Sequence, residues 1–474
     1  MSPGGTSVPP MSVTTRGSRA ARPGHTCTEC GWATTKWVGR CGECQAWGTV
    51  VADAAASSGP RTAATAPRAP ARPMAEIDVT AARARPTGIG ELDRVLGGGI
   101  VPGAVILLAG EPGVGKSTLL LDVASRVADA TGQPVLYITG EESTGQVRLR
   151  GERIGAQSAG VLLAAETDLG AVLGHLATHR PAMLVVDSVQ TIASVEVEGA
   201  PGGVSQVREV AAALIAAAKE RDVPTLLVGH VTKDGNVAGP RTLEHLVDVV
   251  CQVEGDRHSR LRLVRATKNR YGPTDEVGCF DLTEHGVIEL PDPSGLFLST
   301  AVQNVPGTAV TVTLEGRRPL ATEIQALVAP TMLSNPRRTT SGIDSSRLAM
   351  VLAVLQRRAG VSLADKDVYA STVGGARVVE PAADLAIALA VAGSADDVAS
   401  VGHLVAFGEV GLAGEIRPVL GLPRRLAEAR RLGFTAAVVP PGDDHDAPDG
   451  MTLLVARDLG EAVRLARGPR LASR

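Results

Sequence analysis

The spacing of apolar and polar positions divides the chain into three textures. Up to about residue 80 the apolar residues show almost no period, and Ala, Pro, Ser and Arg dominate the stretch from Ala54 to about Pro73. From about Arg85, short apolar runs at Val105–Ala109, Val135–Thr139, Met183–Val186 and Thr225–Val228 alternate with stretches of helical spacing such as Lys116–Ala130 and Val207–Arg221. Apolar runs of this kind, separated by helices, predict α/β architecture with a mostly parallel sheet covered on both faces. From near Asp292 the texture becomes α+β: a Thr- and Val-rich β run at Thr308–Leu314, helices at Ser345–Ala359 and Ala382–Ala392, and a β run at Ala436–Pro440. No uninterrupted apolar stretch reaches 18 residues, so no membrane span or membrane partner is expected.

Length and composition sharpen this division. A chain of 474 residues exceeds one ordinary core, so several domains are expected. The segments are a disordered tail over 1–24, a compact cysteine module over 25–50 and a flexible linker over 51–80, then an α/β domain over 81–290 and an α+β domain over 291–474. The basic N-terminus lacks an apolar h-region, so it does not read as a secretory signal, and the expected location is cytoplasmic. With 44% hydrophobic and 20% charged residues the chain belongs with soluble globular proteins. Its formal net charge of −3 means that affinity for nucleic acid must come from local basic patches. Aromatic residues make up only 2%, which argues against a binding surface built mainly on base stacking.

The cysteines are unevenly placed. Cys27-Thr-Glu-Cys30 and Cys41-Gly-Glu-Cys44 form a CxxC…CxxC pair with ten residues between. Two-residue spacing lets each pair grip one edge of a tetrahedral Zn²⁺, and four thiolates leave no open position, so the metal is expected to be structural. The alternative, two redox dithiols, lacks a thioredoxin-like βαβ context. Trp32, Trp37 and Trp47 all lie in this module, where they either pack it or meet DNA or a protein. Cys251 and Cys279 sit in β-like surroundings and read as buried residues.

Chemistry concentrates at the ends of the apolar runs. Gly110, Glu111, Pro112, Gly113, Val114, Gly115, Lys116 and Ser117, with Thr118 following, match the G-x-x-x-x-G-K-[ST] phosphate loop between a strand and a helix. Glycines let successive N–H groups face a phosphate, and the helix N-terminus adds its dipole. Lys116 would hold the β- and γ-phosphates of ATP, and Ser117 would ligate Mg²⁺. The run Met183–Val186 ends in Asp187, about 70 residues on, in the place of the second magnesium-site residue. Between them, Val135–Thr139 leads into Gly140-Glu141-Glu142-Ser143, where a carboxylate could deprotonate the attacking water. Glu141 is the first choice and Glu142 the second, against the plainer reading of two solvated glutamates opening a helix. Thr225–Val228 leads into Gly229-His230, and His230 is either a γ-phosphate sensor or a structural histidine.

The order of these motifs resembles the bacterial RadA (Sms) family. The carriers are Thr87–Gly99, Gly110–Ser117, Gly140–Ser143, Val185–Ser188, Gly229-His-Val-Thr-Lys-Asp-Gly235 and Lys268-Asn269-Arg270-Tyr271-Gly272, the last with Tyr271 where the family signature has Phe. The resemblance covers the chain apart from its tail and linker. It implies a zinc ribbon-like module, a RecA-like ATPase core and a Lon-like C-terminal domain. It also implies an ATP-driven motor that binds single-stranded and branched DNA, forms a homo-hexameric ring, works with a RecA recombinase and promotes branch migration in recombinational repair. Lys268 and Arg270 then become candidates for contact with a neighbour's ATP, with DNA, or both, within the segment Lys268–Gly272. Between Arg257 and Arg270 there are six Lys or Arg and no acidic residue, and Leu261-Arg262-Leu263 suggests a strand with one basic face for phosphates. The plain alternative is a solvated face.

At the C-terminus, Asp384–Ala390 and Phe407–Pro418 resemble the Lon protease domain as it ends RadA. The serine and lysine such a peptidase needs fall on Ala382 and Arg425. Alanine cannot attack a carbonyl and arginine cannot act as a base, so peptidase activity is not expected. The domain reads instead as a ring scaffold, with Arg337, Arg338 and Arg347 as candidate DNA contacts. The two other function classes are an ATP-dependent protease, disfavoured by Ala382 and Arg425, and a regulatory RecA-like ATPase without motor activity.

Overall fold

The computed structural model describes residues 24–52, 71–77, 79–230, 243–255, 260–298, 305–442 and 446–468. The expected disordered tail, most of the linker, Val231–Gly235 of one motif and Arg257 lie outside the described residues. The chain forms two compact units, residues 1–77 and 78–474.

In the first unit, β1 (His25–Cys27) is the middle strand between β2 (Ala33–Thr34) and β3 (Val50–Ala52), antiparallel to both. Its small core is Cys27, Cys41 and Val50, with Trp32 and Val38 packed against it. So few apolar side chains cannot offset the ordering entropy of the segment, and a further constraint is required.

The second unit contains two large sheets and a two-stranded ribbon of Glu409–Val410 with Ile416–Arg417. The first has nine strands. In chain order these are β4 (Val105–Gly110), β5 (Val135–Thr139), β6 (Val161–Ala165), β7 (Met183–Asp187), β8 (Thr225–His230), β9 (Val249–Glu254), β10 (Leu261–Asn269), β11 (Val277–Thr283) and β12 (Gly286–Glu289). Their spatial order is β12-β11-β10-β9-β4-β8-β7-β5-β6. The strands from β9 to β6 run parallel, and β10, β11 and β12 continue as an antiparallel flank.

Strand alternation builds both faces of this sheet. Ile106 and Leu108 join one core with α1 (Gly90–Leu96), α2 (Lys116–Thr131) and α3 (Thr144–Ile154). Val105 and Leu107 join the other core with α4 (Leu169–His179) and α5 (Val204–Arg221). The expected helix starting at Val207 thus begins three residues earlier; Val135–Thr139 is found as expected, and the other three expected strands extend one or two residues toward their chemically important tips. The strands β4, β5 and β7 are buried throughout and β8 up to its last residue, so function is left to their tips and the loops that follow.

The second large sheet is built of β13 (Thr308–Glu315), β14 (Arg318–Pro330), β15 (Arg338–Ser341), β16 (Lys366–Thr372), β17 (Leu404–Ala406), β18 (Ala436–Val439) and β19 (Thr452–Val455), in the spatial order β15-β16-β14-β13-β17-β18-β19. Its long hairpin is β13 and β14. The helix expected at Ala382–Ala392 begins at Asp384 and runs to Asp396, after a short 3₁₀ turn at Pro381–Ala383. All its residues from Asp384 to Gly393 are buried, so it is apolar on every side except at its first residue. Arg347 answers that exception with two hydrogen bonds to the Asp384 carboxylate, at 2.9 and 2.7 Å. A buried ion pair ties the two sheets together. Arg318 Nη1 donates to both Glu91 oxygens at 3.1 and 3.0 Å, and Glu91 Oε2 also accepts from the Cys279 amide.

Candidate functional site

The phosphate loop leaves the tip of β4 and enters α2 as expected. Gly113 and Gly115 have φ of +83° and +100°, values an L side chain rarely adopts. A Cβ on Gly110 would come within 2.6 Å of the Val253 carbonyl, so the loop's tight approach to β9 also requires glycine there. Lys116 is 4% exposed and folds back over the loop, donating to the carbonyls of Gly110 (2.8 Å) and Glu111 (2.9 Å). Burial lowers its pKa, and the nearby Asp187 and Glu141 carboxylates partly oppose that. An ammonium held only by carbonyls and facing two carboxylates is suited to an anionic partner. Ser117 and Thr118 are half-buried at the start of α2.

Neighbouring strand tips complete the site. Asp187 is 7% exposed at the end of β7, and its Oδ2 accepts from the Tyr137 hydroxyl of β5 at 2.7 Å. Burial and the facing Asp187 charge raise the Tyr137 pKa well above its usual value, so it acts as a donor. Past the tip of β5 the two glutamates separate in role. Glu142 is engaged by Arg150 of α3, whereas Glu141 Oε1 accepts from Ser188 Oγ at 2.7 Å. His230 Nε2 lies 3.2 Å from the same oxygen, at ion-pair distance but outside hydrogen-bond geometry. Glu141 Oε2 has no partner among the described residues, and the side chain is 44% exposed.

The turn that holds these glutamates is fixed at both ends. Thr139 Oγ1 pairs with the backbone of Glu142, and Ser143 and Gln146 form a reciprocal capping box on α3. A Cβ on Gly140 would meet Thr191 Oγ1 at 2.0 Å, so this glycine lets the β5 tip approach the β7 loop.

Three contributors went unrecognised in the sequence: Tyr137, Ser188 and Gln190. Gln190 is the most telling, because its side-chain amide reads the backbone of His230 twice. Its Nε2 donates to the His230 carbonyl (3.0 Å), and its Oε1 accepts from the His230 amide (3.1 Å). The loop after Asp187 and the tip of β8 are thereby locked to one another. Its only sequence signal is position, three residues past the Asp187 strand end.

The segment Lys268–Gly272 is bound mainly into its own chain. Lys268 Nζ donates to the carbonyls of Glu244 (2.7 Å) and Val247 (2.8 Å), and Asn269 Nδ2 donates to the Val95 carbonyl. Arg270, half-exposed, pairs with buried Asp248 at 3.0 Å, which also binds Lys219. Tyr271 is 41% exposed, and Gly272 packs against Gly97, where a Cβ would come within 3.0 Å of the Gly97 Cα.

The expected basic face of β10 does not form. Arg262 shares a face with Val264 and Ala266 and is 6% exposed. Arg265 points to the opposite face, to Glu254 and Glu315, while Arg260 pairs with Asp281. Of the C-terminal candidates, Arg347 is committed to Asp384 and Arg338 donates to the Leu363, Lys366 and Arg337 carbonyls. Arg337 is exposed.

Where the Lon resemblance would put a dyad, Ala382 is 4% exposed and Arg425 is 1% exposed. The Arg425 fork binds Glu380 through Nη1 (2.6 Å) and Nη2 (2.8 Å), Nη1 also reaches the Val312 carbonyl, and Nε donates to the Leu420 carbonyl. The guanidinium is thus engaged within the fold through all three of its nitrogens.

The cysteine cluster fits a tetrahedral metal. The Cys27 and Cys44 sulfurs lie 3.7 Å apart and those of Cys30 and Cys41 lie 3.5 Å apart, with all four within 4.8 Å of one another. Zinc–thiolate bonds of about 2.3 Å give tetrahedral edges of about 3.8 Å, whereas a disulfide needs about 2.05 Å. A 3.2 Å contact with Thr49 Oγ1 is the chief cause of a Cys27 pKa of about 6, which favours the thiolate a metal requires. Cys251 and Cys279 are buried, and burial pushes each up to about 12, as inert core residues should be.

Two known families match parts of the chain. Residues 25–52 match the rubredoxin metal binding domain family, and residues 70–236 match the AAA domain family. The DNA repair protein RadA of Mycolicibacterium smegmatis is 54% identical over 450 residues, covering 93% of this chain and 96% of that protein. RadA of Mycobacterium tuberculosis is 53% identical over 94% of this chain, and RadA of Pseudomonas aeruginosa is 45% identical over 92%. Relatedness of this depth along nearly the full length, joined to a zinc cluster and a phosphate loop, makes the chain a member of the RadA family of DNA repair proteins.

Proposed function

We propose that this chain is an ATP-driven DNA motor that binds single-stranded DNA and promotes branch migration of recombination intermediates. The observation that carries the reading is the linkage of Glu141, Ser188 and His230 at three strand tips, with Gln190 locking the last two together. Such a linkage lets the state of the nucleotide reach the segment that follows His230.

Bound ATP with Mg²⁺ would supply the cleavable phosphoanhydride and the charge that polarises it. Lys116 leaves its loop carbonyls for the β- and γ-phosphates, and Ser117 and Asp187 hold the cation. Glu141, oriented by Ser188, accepts a proton from water through its open Oε2. Glu142 is the weaker candidate for the base because Arg150 occupies it. Lys268 and Arg270 serve a neighbouring subunit or DNA after exchanging their present partners, within a homo-hexameric ring that works in the cytoplasm with a RecA recombinase. The C-terminal domain, Lon-like in sequence, scaffolds that ring without peptidase chemistry, since Ala382 offers no nucleophile and Arg425 no base.

A regulatory ATPase without motor activity has one observation in its favour. Except for Arg337, each basic residue named for DNA that lies among the described residues is bound within the chain. The two readings part on a synthetic three-strand junction. The motor drives ATP-dependent extension of the heteroduplex, and Lys116→Ala abolishes it. ATP turnover without any heteroduplex extension would favour the regulatory reading.

A further inference from the structure

The few aromatic residues of this chain are not spread evenly. Its three tryptophans all lie in the zinc module, and their burial differs sharply. Trp32 packs the core, lying so close over Gly42 that a Cβ there would come within 2.7 Å of its ring. Trp37 and Trp47 are 65% and 74% exposed. Both reach Gly39: a Cβ built there would lie 3.7 Å from Trp37 Cη2 and 3.9 Å from Trp47 Cζ3. The two rings therefore meet on one surface, with only a glycine between them.

A cation lies over one of these rings, and a second, Lys36, precedes Trp37 in the chain. Arg40 lies over Trp47 with its Cζ 5.7 Å from the ring centroid, held there by Gln45 through Nε (2.9 Å) and Nη2 (2.7 Å). Its Nη1 has no partner among the described residues, and neither does the exposed Lys36 ammonium. Leaving two tryptophans in water has no folding advantage, because neither contributes to the core.

We propose that Trp37 and Trp47, with Lys36 and Arg40 beside them, form a stacking platform on the zinc module for the bases of single-stranded nucleic acid. This deepens the proposed function and rests on that reading for the presence of DNA. A base requires a flat apolar face, and its backbone requires a cation within reach; the module presents both. A folded protein partner would require a wider apolar surround to exclude water from its anchors. Here the flanking residues are Lys36, Gly39, Arg40 and Gln45. Among the described residues of the module, the only other large exposed apolar side chain is Val51. Stacking on two rings is tolerant of sequence, as a motor that travels along a strand requires.

Because all three tryptophans lie in this module, the intrinsic tryptophan emission of the full chain reports on it alone. The zinc-loaded full-length protein is titrated with dye-labelled oligo(dT), reading dye anisotropy for total binding and tryptophan emission for the platform. Emission should be quenched in step with the anisotropy. Trp37→Ala and Trp47→Ala should each weaken binding about tenfold, and Trp37→Phe should recover most of the loss. Zinc content per chain shows that the variants keep the module folded. A rise in anisotropy with unchanged emission, or wild-type affinity in both alanine variants, would overturn the platform while leaving the motor reading intact. Quenching by a recombinase but not by oligo(dT) would also overturn it, in favour of a protein-docking surface. No binding by either readout would remove both proposals.

Discussion

Two charged clusters in the second compact unit look alike on paper and differ in one respect. At the β4, β5, β7 and β8 tips, Lys116 rests on two carbonyls and Glu141 keeps one oxygen open to solvent. At the position where the sequence resemblance to Lon would place a dyad, Arg425 and Glu380 form a bidentate pair, and the Val312 and Leu420 carbonyls accept from the same guanidinium. The first cluster has provisional partners that a phosphate or a water can displace. In the second, the arginine is 1% exposed and both its terminal nitrogens are committed to Glu380, out of reach of a substrate. Burial and charge alone therefore do not mark a reactive site; an unfilled valence does.

The sharpest way to break this contrast is Lys116→Ala. Removing the ammonium should reduce ATP turnover by about a hundredfold or more with an unchanged circular dichroism spectrum, because both hydrogen bonds of Lys116 go to carbonyls of its own loop. A comparable loss of melting temperature would make Lys116 structural and remove the contrast. Next is Glu141→Gln, expected to lower turnover by about 10²–10⁴-fold while nucleotide binding persists. Glu142→Gln should cost less than tenfold in turnover. A reversed ranking would move the base to Glu142.

The filled cluster should respond in the opposite currency. Arg425→Ala leaves Glu380 with its partner lost in a low-dielectric site, a change expected to cost about 3–5 kcal/mol of stability. Thermal melts should show that loss, and turnover per folded molecule should stay near wild type. The double variant Arg425→Met with Glu380→Leu should recover much of it, since replacing a buried pair with apolar groups is often neutral. The smallest effect expected is a pH dependence. Burial alone would raise the Asp248 pKa, but Lys219, the Val105 amide and Arg270 outweigh it and hold it below 3.8. Its stabilising contribution is then present above that unfolded value and is lost as pH falls through the lower folded value. Asp248→Asn should flatten this part of an acid-unfolding curve.

Much of the fold and site was legible because it rests on local rules. The phosphate loop needs glycines at fixed offsets, and the parallel strands bury both faces and so lack alternation. The zinc ligands come in two pairs whose spacing is set by the metal. Gln190 was illegible because its role lies across the sheet: nothing near it in the chain says that it will grip the backbone of His230. The basic face expected on β10 failed for a related reason. Arg262 and Arg265 are three apart, so a strand sends them to opposite faces, and pairing with β9 and β11 decides which face is buried. The helix at Asp384 started later than expected because Pro381–Ala383 forms a separate turn.

The account stands most directly on steady-state phosphate release by the wild-type protein, with and without single-stranded DNA, beside Glu141→Gln. It predicts DNA-stimulated turnover in the wild type and none in the variant, with nucleotide binding preserved in both. Equal release with and without DNA, or a variant that hydrolyses like the wild type, would contradict it.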